Sequence, residues 1–145
     1  MNDKTEQAIL TVAEKLNLDP RELMGAVDGM AMVLDACHQL AVRGNWWHDL
    51  ETGEPLQRNK GELLCLIHSE VSEAMEGERK NLMDDKLKHR KMAEVELADA
   101  MVRIGDYGGG FGYSVTEAMI EKMAFNISRS DHKPENRMKK GGKSF

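Results

Sequence analysis

Prolines are scarce in this 145-residue chain, three in all, and cysteines scarcer still at two. Aromatic residues make up only 5% of it. With so few prolines, long stretches are free to run as helix, and the long 3.6-period apolar segments favour an all-α fold. Two isolated cysteines exclude a disulfide framework. Cys37 and Cys65 fall on apolar helix faces and read as reduced core thiols of a cytoplasmic protein. No apolar run approaches the roughly 18 residues a membrane span needs. The opening Met-Asn-Asp-Lys-Thr lacks a signal-peptide pattern, so no membrane association is expected. An excess of positive charge is missing too. The net charge of −5 argues against a general nucleic-acid binder. Only the end is basic: from His132 onward Lys133, Arg137, Lys139, Lys140 and Lys143 stand against Glu135. A local basic segment on an acidic protein suits a small phosphorylated ligand or an acidic partner surface.

The length fits one domain with a real core. Five helices are expected. The first spans about Lys4 to Leu16 and stops at Asn17-Leu18-Asp19-Pro20. The second starts at Pro20 or Arg21, with Asp19 as N-cap, and reaches about Val42. A polar loop then carries Trp46-Trp47-His48. The third helix spans about Lys60 to Lys80 and the fourth about Asp85 to Tyr107, stopped by the glycine-rich Gly108 to Gly112. Ser114-Val115-Thr116-Glu117 has the form of a capping box opening a fifth helix that ends near Arg129. These spans give residues 1–19 as an N-terminal helical extension packed outside the bundle, 20–130 as a helical-bundle domain, and 131–145 as a basic, flexible tail.

The chemistry lies in two short acidic repeats. Glu70-Val71-Ser72-Glu73 and Glu96-Leu97-Ala98-Asp99 each place two carboxylates three residues apart on one helical face. At about 100° per residue, Glu70 falls between Leu63, Leu66 and Ala74, and Glu96 among Met92, Ala93 and Ala100. Acids within an apolar stripe are costly unless paired or bound to a cation. Solvated helix acids paired one turn away account for Glu76, Glu78, Glu94, Asp84 and Asp85, but poorly for Glu70 and Glu96. The all-oxygen donor set points to Mg²⁺, with Mn²⁺ as the other option, rather than Zn²⁺. A di-iron site of the ferritin type needs Glu-x-x-His, which this chain lacks.

Other residues fit a phosphorylated substrate. Lys122, Asn126 and Arg129 recur at i, i+4 and i+7, and Lys80 ends the acidic third helix; cations of this kind neutralise phosphate, and an amide hydrogen-bonds a sugar or base. The Trp46-Trp47 pair is unusual in a polar loop. One ring is expected to pack and the other to stack on a nucleobase, and the sequence leaves open which does which; Trp47 is counted among the substrate-binding candidates. His38 is a candidate polar contact at the pocket mouth. The glycine run lacks the Lys-Ser/Thr of a phosphate loop and follows a helix rather than a strand. Residues 11–23 mimic a helix-turn-helix, but their acidic content makes a poor DNA-binding surface.

The stretch from Leu66 through Gly77, with Glu70 and Glu73, followed by Glu96-Leu97-Ala98-Asp99, resembles the Glu-x-x-Glu…Glu-x-x-Asp signature of MazG-like nucleotide pyrophosphohydrolases, part of the all-α NTP pyrophosphohydrolase superfamily. Lys122 to Arg129 resembles that family's Lys-x-x-x-Asn-x-x-Arg element, and the likeness covers roughly Met32 to Arg129. It implies a MazG-like four-helix-bundle fold and a homodimer or dimer of dimers that completes the bundle between subunits. It also implies metal-dependent hydrolysis of a (deoxy)nucleoside triphosphate to the monophosphate and pyrophosphate, with Glu70, Glu73, Glu96 and Asp99 as metal-binding and catalytic residues. Two alternatives stand beside it. One is a superfamily relative acting on a modified nucleotide or phosphoribosyl-ATP. The other is a non-catalytic dimerisation module whose acids are salt-bridged, with Arg103 near Glu96 and Asp99 as the available partner.

Overall fold

A computed structural model describes residues 1–139 and shows an all-α chain, with no β-strand among those residues. The helices are α1 (Asp3–Leu16), α2 (Pro20–Arg43), α3 (Lys60–Lys80), α4 (Met92–Phe111), α5 (Val115–Ser128) and the short α6 (Pro134–Arg137), with a 3₁₀ turn at Ser130–His132 before α6. None of these is long and apolar enough to cross a membrane. Lys140, Lys143 and the Gly141-Gly142 pair of the basic tail lie outside the described residues.

Capping chemistry explains most boundaries. Asn2 accepts hydrogen bonds from the amides of Lys4 and Thr5, and Asn59 from those of Gly61 and Glu62. Asp19 accepts from the Arg21 amide at 2.8 Å, as its expected capping role requires. Asn17 and Asn81 close α1 and α3 in left-handed conformation, which asparagine tolerates better than most residues.

Three expected boundaries need correction. The fourth helix starts at Met92, not Asp85, because Asp84 turns inward and accepts from the amides of Lys86 and Leu87, while its own amide donates to the Arg90 carbonyl. That closed turn captures the segment before helix can form. The glycine run stops this helix only at its last member: the chain is helical through Phe111, four residues beyond the expected Tyr107, and Gly112, at φ +69, ends it. The capping box does not form either. Ser114 makes no side-chain cap, and Glu117 instead accepts from the Asn2 amide at 3.2 Å.

The chain divides into a terminal unit, Met1–Ala31 with the residues from Ser114 on, and a central unit, Met32–Tyr113. In the terminal unit, Ala8, Ile9, Val12, Val27 and Ile120 form a buried cluster bordered by Leu23, Met24, Ala124 and Ile127. The first helix therefore supplies core and is no peripheral addition. In the central unit α3 and α4 run antiparallel, with Gly77 against Met92 and Ala93 at one end and Lys60 over Phe111 at the other. Leu63, Ala74, Ala93 and Ala100 are buried. Cys65, expected as a core thiol, is exposed, while Cys37 is half-buried and both are free.

Candidate metal centre and a neighbouring aromatic cluster

Glu70 on α3 and Glu96 and Asp99 on α4 each bring a carboxylate oxygen within 4.8 Å of the others. Glu70 is buried at 6% exposure. Glu96 is half-buried and Asp99 exposed. Glu73 stands outside this trio and is exposed, which corrects the expectation of four buried acids. Three residues of helix rotate a side chain about 60° off the seam, so each repeat keeps its first acid inward and turns its second toward solvent.

One cation enters the group. Arg103 Nε donates to Glu70 Oε1 at 2.5 Å. The remaining crowding is felt at Glu96, whose pKa is pushed up to about 7 by burial first, then by its hydrogen bond with Glu70 and the charges of Glu73, Glu70 and Asp99. A carboxyl that keeps its proton near neutrality lacks compensating charge, and an oxygen-only set of this geometry suits a hard dication.

Beyond the acids the same face of α4 continues into an aromatic cluster. Asp99, Arg103, Asp106 and Gly110 follow at i, i+4, i+7 and i+11, within about 60° of one another around the axis. Asp106 Oδ1 accepts from Trp47 Nε1 at 2.7 Å and pairs with His38 Nδ1 at 2.9 Å. The His38 and Trp47 rings meet edge-on at 5.2 Å, and Trp47 meets Phe111 at 5.6 Å. Glycines make this possible. A Cβ on Gly110 would lie 2.0 Å from the Trp47 ring, and one on Gly109 would lie 2.5 Å from His38. At the cluster's edge Lys60 Nζ donates to the Tyr113 hydroxyl at 2.8 Å. Burial raises the nearby Cys37 thiol, its own backbone hydrogen bond opposes this, and the Asp106 charge adds to the rise. That thiol is an inert one.

The two tryptophans are thereby told apart. Trp47 is the packed ring. Trp46 is 66% exposed. It walls an open cavity of about 520 Å³ with His48, Leu50, Leu56, Arg58 and Glu62 among its lining. Trp46 is therefore the indole with an open face.

Of the expected cations, Lys80 is ion-paired with Glu76, which also takes Arg79 at 3.2 Å. Lys122, Asn126 and Arg129 belong to the terminal unit. Lys122 Nζ sits 4.6 Å over the Phe125 ring. Arg129, one residue past the end of α5, grips Asp131 at 3.0 and 2.5 Å. The Asn126 side-chain oxygen is buried with no hydrogen-bond partner. Asp106 was not among the expected site residues, although its place two turns beyond Asp99 on one face is written in the sequence. Comparison with protein-family models, with curated proteins and with solved structures finds no match to this chain.

Proposed function

We propose that this chain is a MazG-like nucleotide pyrophosphohydrolase that cleaves a (deoxy)nucleoside triphosphate to the monophosphate and pyrophosphate. The observation that carries the proposal is the convergence of Glu70, Glu96 and Asp99, with Glu96 crowded enough to hold a proton near neutrality. These three would hold Mg²⁺ or Mn²⁺. A dication bound there supplies Lewis-acid polarisation of phosphate oxygens and an activated water. Arg103 fixes the Glu70 carboxylate in place. Glu73, outside the trio yet near enough for its charge to raise Glu96, serves as the proton acceptor. Lys122, Asn126 and Arg129 belong to the terminal unit and are given no part in this central-unit site. Half-exposed apolar side chains on α3 (Leu64, Val71 and Met75) and α4 (Leu97 and Met101) support a bundle completed by a second copy, as a homodimer or dimer of dimers.

The Arg103–Glu70 ion pair favours one competing reading, a non-catalytic module held by inter-helix salt bridges. One guanidinium against three converging carboxylates leaves that reading short of charge. Two measurements decide between them. A panel of the common NTPs and dNTPs, assayed for pyrophosphate release with Mg²⁺, is expected to yield pyrophosphate and not orthophosphate. Glu96→Gln or Asp99→Asn should cut that release by at least about 100-fold. In thermal melts, Mg²⁺ or Mn²⁺ should raise the Tm of the unaltered chain and leave that of Asp99→Asn in place. A melt indifferent to either ion, with no substrate cleaved, establishes the salt-bridged module instead.

A further inference from the structure

Asp106 is the one carboxylate of the α4 face that takes part in neither the acidic trio nor its Arg103 bridge, and its single Oδ1 receives two ring nitrogens. Trp47 Nε1 is a donor only, so Oδ1 accepts there. An ionised carboxylate only accepts, and a 2.9 Å contact with His38 Nδ1 then requires the proton on Nδ1. In a neutral imidazole so held, Nε2 carries no proton. Both rings are also wedged: His38 against Gly109, Trp47 against Gly110, with Phe111 at the Trp47 edge. Two turns of α4, about 10 Å, separate Asp106 from Asp99. That is a span within the reach of one nucleotide whose phosphates lie at the acids.

We infer that Asp106 is a positioning residue for the nucleoside half of the substrate: it holds His38 in the Nδ1–H tautomer and locks Trp47, so that Nε2 of the neutral ring is a fixed acceptor for an N–H or O–H donor. The inference rests on the hydrolase reading for its substrate and on ring geometry for its tautomer, so the two fail separately.

The test uses the full chain, ¹⁵N-labelled. Long-range imidazole spectra should place the His38 proton on Nδ1, and Asp106→Asn should move it to Nε2 and shift the Trp47 indole N–H. In the pyrophosphate assay with the best dNTP of the panel, Asp106→Asn should raise KM at least about tenfold and change kcat far less. Asp106→Glu, which keeps the charge, should recover part of both. An Nε2–H tautomer in the unaltered chain overturns the inference, and needs no variant to fold. So does an Asp106→Asn protein that melts lower or turns over more slowly while tautomer and KM stay put, since a merely structural contact behaves that way. If the unaltered chain releases no pyrophosphate, the hydrolase reading falls and the tautomer assignment still stands or falls on the spectra.

Discussion

Both units press carboxylates against a facing helix, and they treat them in opposite ways. In the terminal unit Glu117 and Glu121 of α5 meet α1. The fully buried Thr5 donates its hydroxyl to Glu121 at 2.8 Å, while the Asn2 amide at 3.2 Å and the N-terminal ammonium at 3.6 Å serve Glu117. In the central unit Glu70 meets Glu96 and Asp99, acceptors facing acceptors, with Arg103 the cation that reaches them. Acids opposite donors are structural, because each lone pair finds a proton. Acids opposite acids leave a deficit of positive charge, and a ligand is what can fill it. The surrounding apolar frame differs in the same sense. Ile9, Val12 and Ile120 fill the terminal core, whereas the α3–α4 seam is lined by Ala74, Gly77, Ala93 and Ala100. One unit is held by what its side chains fill, the other by what they leave open.

The largest expected effect probes that contrast through two glycines. Gly110→Ala puts a methyl 2.0 Å from the Trp47 ring and should cost about 1–3 kcal/mol, or more if the indole cannot shift. Gly25→Ala, in the first half of α2, meets nothing within 4 Å and should stabilise by about 0.5–1 kcal/mol as helix propensity improves. Urea unfolding of the two variants must give opposite signs. A neutral Gly110→Ala means that the Trp47 seat is looser than the packing described here.

The contrast also shows how far the sequence could be read. Helix periodicity placed α3 at both ends, because Asn59 and Asn81 cap it locally and no tertiary contact contests the pattern. Glu70 and Glu96 were legible as inward acids, since angular position alone sets them among apolar neighbours. Burial of Glu73 and Asp99 was not legible, because the i+3 rotation that keeps a pair on one face is enough to turn its second member out of a narrow seam. Gly108 to Gly110 read as a terminator because propensity is a local measure; here the glycines stay helical and make room for His38 and Trp47, a reason that exists only in three dimensions. The missed turn at Asp84 and the unformed cap at Ser114 share one cause. A polar side chain has several backbone or side-chain partners within reach, and the fold chooses among them.

A smaller effect tests the satisfied acids. Thr5→Val keeps the shape and removes the hydroxyl, so the Glu121 carboxylate loses its 2.8 Å donor in a half-buried place. A loss of about 1 kcal/mol in chemical unfolding is expected. Mg²⁺ should leave that loss unchanged, because no cation is called for there. A recovery on adding the ion would erase the distinction between the two acid groups.

The smallest effect has the most particular sign. Glu96 holds its proton to about pH 7 in the folded chain against an ordinary value of 4.5. Between those two pH values the folded state keeps a proton that the unfolded state has released, so metal-free stability falls as pH rises through that window and levels off above it. Partial solvent access keeps the drift to roughly 2–4 °C in Tm. Glu96→Gln carries no titrating proton and should flatten the slope, melting above the unaltered chain at pH 8 without metal. Mg²⁺ should reverse that order, because the ion competes with the Glu96 proton below neutrality and meets a bare carboxylate above it. Melts at pH 5, 6, 7 and 8, with and without the ion, separate a cluster waiting for a cation from one already at rest: a slope that Glu96→Gln leaves intact assigns the titration elsewhere and removes the crowding on which the metal centre was argued.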